Sequence, residues 1–186
     1  MRTRALPLRP RPLAAMVAVT LVGIGAFCWP LLIGFRNGAS PHAHDAPWIF
    51  LLVLPLLLLV VAAEIADGAM DAKAVALLGI LGGTSALLRP LTGGLTGVQL
   101  MFFLLIPAGR VLGPSFGFVL GNVAMFASAA ITGGGGPWLP FEMLGAGWVG
   151  LGAGLLPRAR GRAELALLAG YGMVAGTAYG FVLNLW

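Results

Sequence analysis

The chain has 186 residues, of which 59% are hydrophobic and only 9% charged, with a net charge of +5 and a mean hydropathy of +0.98. Soluble domains average roughly half apolar and a quarter charged, so this composition excludes an ordinary water-soluble fold and points to a lipid bilayer. The apolar runs are continuous and do not alternate, which favours helices over a β-barrel, since hydrocarbon obliges every backbone polar group to be satisfied internally.

In chain order, the basic stretch MRTRALPLRPRP is followed by two long uncharged segments, Leu13 to Phe35 and Pro47 to Ala63. Pro30 and Pro55 lie inside them and are expected to kink them, which neighbouring helices tolerate in lipid. The first apolar run is too long for a signal peptide and lacks a small-residue cleavage pattern, so it is expected to be retained. Ala74 to Leu88 forms a third segment, and RPLTGGLTG (89–97) is predicted to break it before a short helix over Val98 to Val111. Phe116 to Thr132, Pro140 to Pro157 and Glu164 to Trp186 complete an all-α integral membrane bundle of about seven transmembrane helices.

The basic residues orient this bundle, because cytoplasmic loops carry the excess of Lys and Arg. With the N-terminus cytoplasmic and seven crossings, Arg2, Arg4, Arg9, Arg11, Lys73, Arg110, Arg158, Arg160 and Arg162 fall inside, and only Arg36 and Arg89 fall outside. Three irregular stretches then face outward: residues 35–47, residues 89–97 and TGGGGPWLP (132–140). Glycine permits unusual backbone shapes and close approach, so the outer face has the character of a capture surface. Small residues also recur at four-residue spacing: Gly79 with Gly83, Gly82 with Ala86, Gly113 with Gly117 and Gly121, Gly150 with Gly154, and Gly172 with Gly176 and Gly180. Such stripes allow close helix packing in lipid, within the molecule or against a membrane partner; the stripe from Gly79, Gly82 and Gly83 to Ala86 is the candidate docking face.

From residue 72 onward, the order LLRPLTGG, VQLMFF, AGRVLGPSFGFVLGNVAMF and ITGGGGPWLPFEMLGAGWVGLGAGLLP resembles the substrate-binding S component of energy-coupling factor (ECF) vitamin transporters. The chain is most similar to the actinobacterial type with two extra N-terminal helices, which divides it into residues 1–71 and an S-component-like core over 72–186. The resemblance implies capture of a vitamin or related micronutrient on the extracytoplasmic side of a bacterial cell membrane, with a cobalamin-like compound favoured. It also implies partners: a transmembrane coupling subunit and two cytosolic ATPases. No GxxxxGK[ST] loop occurs in the chain, so ATP hydrolysis is expected in a partner. The family core has six helices and only five match here, so the last core helix is expected to be missing after Trp186. No enzymatic activity, resident cofactor or nucleic-acid partner is expected.

Candidate ligand contacts are the polar and aromatic residues of the outer half, since polar groups are costly in lipid and tend to face the bundle interior. Gln99 would line the pocket or cap its helix, and Glu142, just after the glycine elbow, would orient a ligand donor or cap its own helix. Trp138 would stack on a flat ring or anchor at the interface. Asn184 is a further candidate with Trp186, and Arg89 would pair with Glu142, meet an anionic group or snorkel to the interface. Asn122 is expected to make an interhelical hydrogen bond. The HAHD phrase suggests cobalt or nickel uptake as an alternative, through His42, His44 and Asp45, although a solvated loop accounts for it better. Cys28, the only cysteine, excludes an internal disulfide. Glu64, Asp67 and Asp71 form an acidic run that an enzyme reading would use; Asp71 also reads as the N-cap of the third helix.

Overall fold

The computed structural model describes residues 10–32, 42–66, 70–91 and 99–185. These form seven helices: α1 (Pro10–Leu32), α2 (His42–Ala66), α3 (Ala72–Leu91), α4 (Met101–Leu112), α5 (Pro114–Thr132), α6 (Leu139–Leu155) and α7 (Arg162–Leu185). Each expected segment is found, with ends shifted by a few residues. Among the described residues, three helices, α3, α5 and α7, are long and apolar enough to cross a membrane. At about 1.5 Å per residue, the 12-residue α4 reaches roughly 18 Å, short of a hydrocarbon core of about 30 Å. α4 is thus the short helix expected there.

Two boundaries differ from expectation for local reasons. α3 continues through Arg89 and Pro90 to Leu91, so helix covers the first part of the predicted break, and residues 92–97 lie outside the described residues. HAHD is not a loop in its backbone, because α2 starts at His42. The Asp71 cap is present: its Oδ1 accepts from the Ala74 N–H at 2.8 Å.

α5 is the centre of the bundle. Every residue from Pro114 to Asn122 is buried, and α3, α4 and α6 pack around it. Small residues make this possible. A Cβ placed on Gly117 would lie 2.5 Å from the Gly150 carbonyl carbon and 2.9 Å from the Gly109 Cα, and one on Gly121 would lie 2.5 Å from the backbone of Ala146. Three helices thus meet backbone against backbone, which only glycine allows. Gly113, with φ 107°, turns α4 into α5, and Pro114 supplies the first residue of the new helix, where its missing N–H costs nothing.

α1 docks on α6 through Phe27, whose ring meets Phe141 edge-on at 4.8 Å, and through the Trp148 indole N–H, which donates to Thr20 at 3.1 Å. The outer surface stays apolar: Leu21, Leu52, Ile80, Phe103 and Val174 are all exposed. An apolar exterior of this kind is what lipid covers.

Candidate functional site

Helix connectivity sorts the charged groups to two ends. Arg110, nine-tenths buried at the end of α4, donates to both Glu164 oxygens, at 2.6 and 3.0 Å, and to the carbonyls of Leu156 and Pro157. This ties the C-terminal ends of α4 and α6 to the start of α7. The starts of α4 and α6 and the second half of α7 are therefore together at the opposite end. Arg89, at the end of α3, is placed there too by its ion pair with Glu142.

At that opposite end the glycine elbow forms a compact turn. Gly133 is left-handed with φ 66°, and the N–H of Gly134 donates to the Ala129 carbonyl at 3.1 Å, closing α5 as glycine-ended helices commonly close. Trp138 folds its ring over Gly136 and remains half exposed. α6 begins next, and its first turn carries Glu142.

Glu142 and Arg89 form a short ion pair, with one guanidinium nitrogen 2.7 and 2.8 Å from the two carboxylate oxygens and both side chains about four-fifths buried. One turn further along α6, Gly145 has no side chain, and the Tyr179 ring of α7 lies against it at a distance that a Cβ would reduce to 2.9 Å. The Tyr179 ring also meets Phe102 edge-on, with centroids 5.1 Å apart. Because Gly145 is one turn beyond Glu142 on α6, the Tyr179 ring lies one helical turn from the ion pair. Gln99 lies just ahead of α4, and the Phe102 N–H donates to its carbonyl.

Several buried polar atoms at this end have no hydrogen-bond partner within the protein: Gln99 Oε1, the Tyr179 hydroxyl and the hydroxyls of Ser85 and Ser128. Ser85 is one turn below Arg89 on α3, and Ser128 is one turn below Thr132 on α5. Buried polar groups are nearly always satisfied, so a cluster of exceptions calls for a chemical reason. Beside the cluster, a groove of about 230 Å³ runs between α1 and α7 over α6, lined by Phe27, Gly145, Trp148, Tyr171, Tyr179 and Val182. Tyr179 belongs to both features, joining a polar head region to an apolar trough. Tyr171, lower in the trough, donates to the Val149 carbonyl at 2.7 Å.

The sequence-derived candidates divide accordingly. Arg89, Glu142 and Gln99 come to one end of the bundle, and Arg89 pairs with Glu142 in preference to snorkelling. Asn184 does not join them: it is exposed, and its amide donates to the carbonyl of Gly180 on its own helix at 2.8 Å. Trp138 covers the elbow at the surface. Asn122 donates to the Phe118 carbonyl of its own helix at 2.8 Å, not to another helix, because glycine at position 147 brings α6 too close for a side-chain partner there. In the stripe on α3, Gly82 faces Val123 and Leu120 of α5 and Ala86 is buried, so both pack inside the bundle; Gly79 and Gly83 have open space beyond them.

Tyr179 was not anticipated from the sequence. The available signal was a phenol at small-residue spacing in α7, a helix whose span is only 6% buried, but nothing marked which face would meet Gly145. Among the described residues no group of three potential metal ligands occurs; the side chains of His42, His44, Asp45 and Glu64, together with Asp67 and Trp186, lie outside them. No protein-family model, curated protein or solved structure matches this chain.

Proposed function

We propose that the chain is the substrate-binding membrane subunit of an ECF-type importer, taking up a vitamin-like micronutrient at the glycine-rich end of the bundle. The observation that carries this reading is the placement of the Arg89–Glu142 ion pair of α3 and α6, Gln99 just ahead of α4 and Tyr179 of α7 at one end of the bundle, beside an apolar trough. Convergent polar groups above a largely apolar lining are the usual form of a small-molecule site. Polar side chains in apolar helices are also retained for function more readily than for stability. The capture side is extracytoplasmic in this reading, since Lys73, Arg110, Arg158, Arg160 and Arg162 gather at the opposite end, the arrangement expected at a cytoplasmic face.

A cobalamin-like cargo follows from the family resemblance, but a trough of about 230 Å³ weighs toward a smaller ring compound, since drug-sized ligands occupy roughly 300 to 1,000 Å³. Transport itself would need a membrane coupling subunit and two ATPases. The open Gly79–Gly83 face of α3 is the surface offered for such a contact.

The test is equilibrium dialysis of purified full-length protein against an equimolar mixture of water-soluble vitamins, with retained compounds identified by mass spectrometry. Saturable retention of one compound without ATP is expected. Glu142→Ala is expected to weaken it about tenfold or more, the effect of losing one charge-assisted contact, and Gln99→Leu about fivefold, that of losing a neutral one. Retention of nothing, or of a compound indifferent to both substitutions, refutes the assignment.

A further inference from the structure

The end of the bundle opposite the candidate site carries a second feature. Arg158, Arg160 and Arg162 occupy alternate positions where α6 hands over to α7, and all three are exposed. The carboxylate closest in sequence, Glu164, is already engaged by Arg110 and by the Ala159 N–H at 2.9 Å. One carboxylate, already held by Arg110, therefore stands against the three positive charges of the triplet in this stretch.

The connector is also held in shape. Arg110 donates to the carbonyls of Leu156 and Pro157, and Gly161 turns the chain with φ 58°, a conformation glycine adopts readily. The three arginines thus lie within one short, held connector and the first residue of α7. On either side of them, Leu155 and Leu165 are 59% and 71% exposed, so the triplet sits where the apolar exterior of α6 and α7 ends. Guanidinium groups there can run their stems along apolar surface, and their planar forks match phosphate oxygens.

We propose that Arg158, Arg160 and Arg162 bind the phosphate headgroup of an anionic phospholipid at the membrane surface. A lipid fits better than an acidic protein segment because exposed Leu155 and Leu165 offer its acyl chains a surface beside the charges. The site is independent of the substrate reading and requires only that α6 and α7 reach lipid.

Native mass spectrometry of full-length protein in neutral detergent, titrated with equal amounts of phosphatidylglycerol and phosphatidylcholine, tests this. Preferential retention of phosphatidylglycerol is expected. The triple variant R158Q/R160Q/R162Q should bind it about a hundredfold more weakly, at roughly fivefold per arginine, and R160Q alone about fivefold more weakly, should the triple variant fold poorly. The corresponding triple lysine variant should keep an intermediate preference. Three outcomes overturn the proposal: undiminished phosphatidylglycerol retention by the glutamine variants, full displacement of the lipid by millimolar inorganic phosphate, or triplet-dependent capture of a polyglutamate peptide in preference to the lipid.

Discussion

Gly117→Ala is expected to destabilise the bundle strongly. The added carbon would lie 2.5 Å from the Gly150 carbonyl carbon and 2.9 Å from the Gly109 Cα. All the atoms in the way are backbone, so no side-chain rotation relieves the clash, and α4, α5 and α6 have to move apart together. Overpacking of a core typically costs about 1 to 3 kcal/mol, and a junction of three helices belongs at the upper end. For a chain of this size, about 3 kcal/mol corresponds to a fall in Tm on the order of 10 °C. Gly83→Ala is the control: nothing lies within 4 Å of its added Cβ, and alanine is the better helix former by roughly 1 kcal/mol. Its Tm should stay constant or rise. Equal Tm values for the two variants, measured by thermal unfolding in detergent, would refute the backbone-on-backbone junction.

The second large effect is expected at Arg110. Its side chain is nine-tenths buried and holds two segments at once: Glu164 of α7 and the carbonyls of Leu156 and Pro157 after α6. Those carbonyls lie just past the C-terminal end of α6, where partial negative charge accumulates and a cation is favoured. Arg110→Met keeps the apolar stem and removes all of these donors. Loss of the two charge-assisted bonds to carbonyls costs about 3 kcal/mol. Glu164 is a quarter exposed, and the ion pair adds little beyond this because solvent screens it. With the connector released, limited trypsin digestion should cut at Arg158 or Arg160 faster than in the parent protein. Arg110→Lys should recover only part of the protection, since a point charge cannot reach carboxylate and carbonyls together. Digestion of Arg110→Met at the parental rate would mean that the connector is held by other contacts.

Much of the architecture was legible because it depends on local, one-dimensional properties. Continuous apolar runs, the Asp71 cap, the Gly113–Pro114 turn and the glycine elbow each follow from residues close in sequence. Continuation of α3 through Pro90 was not legible, because proline blocks only the hydrogen bond of its own N–H and does not prevent the preceding helix from running into it. The glycine stripes were visible as stripes, but their partners were not. Gly82 and Gly83 are neighbours in sequence, yet one faces α5 and the other faces outward, since adjacent residues on a helix are about 100° apart.

The candidate site shows the same division. Polar residues in apolar helices singled out Gln99 and Glu142, and the pairing of Arg89 with Glu142 was one of three alternatives. Asn184 carries the same type of signal but points outward and bonds its own helix. Tyr179 became a site residue only because Gly145 leaves room for its ring and Phe102 flanks it.

By itself, the sequence determined the helical class, the apolar exterior and the separation of charge between the two ends, since each depends on composition and order along the chain. Only the tertiary structure decided which small residues are packed and which are open, and which polar groups converge beside the trough. Those outcomes depend on the rotation of each helix about its axis, and rotation is set by contacts between residues far apart in sequence.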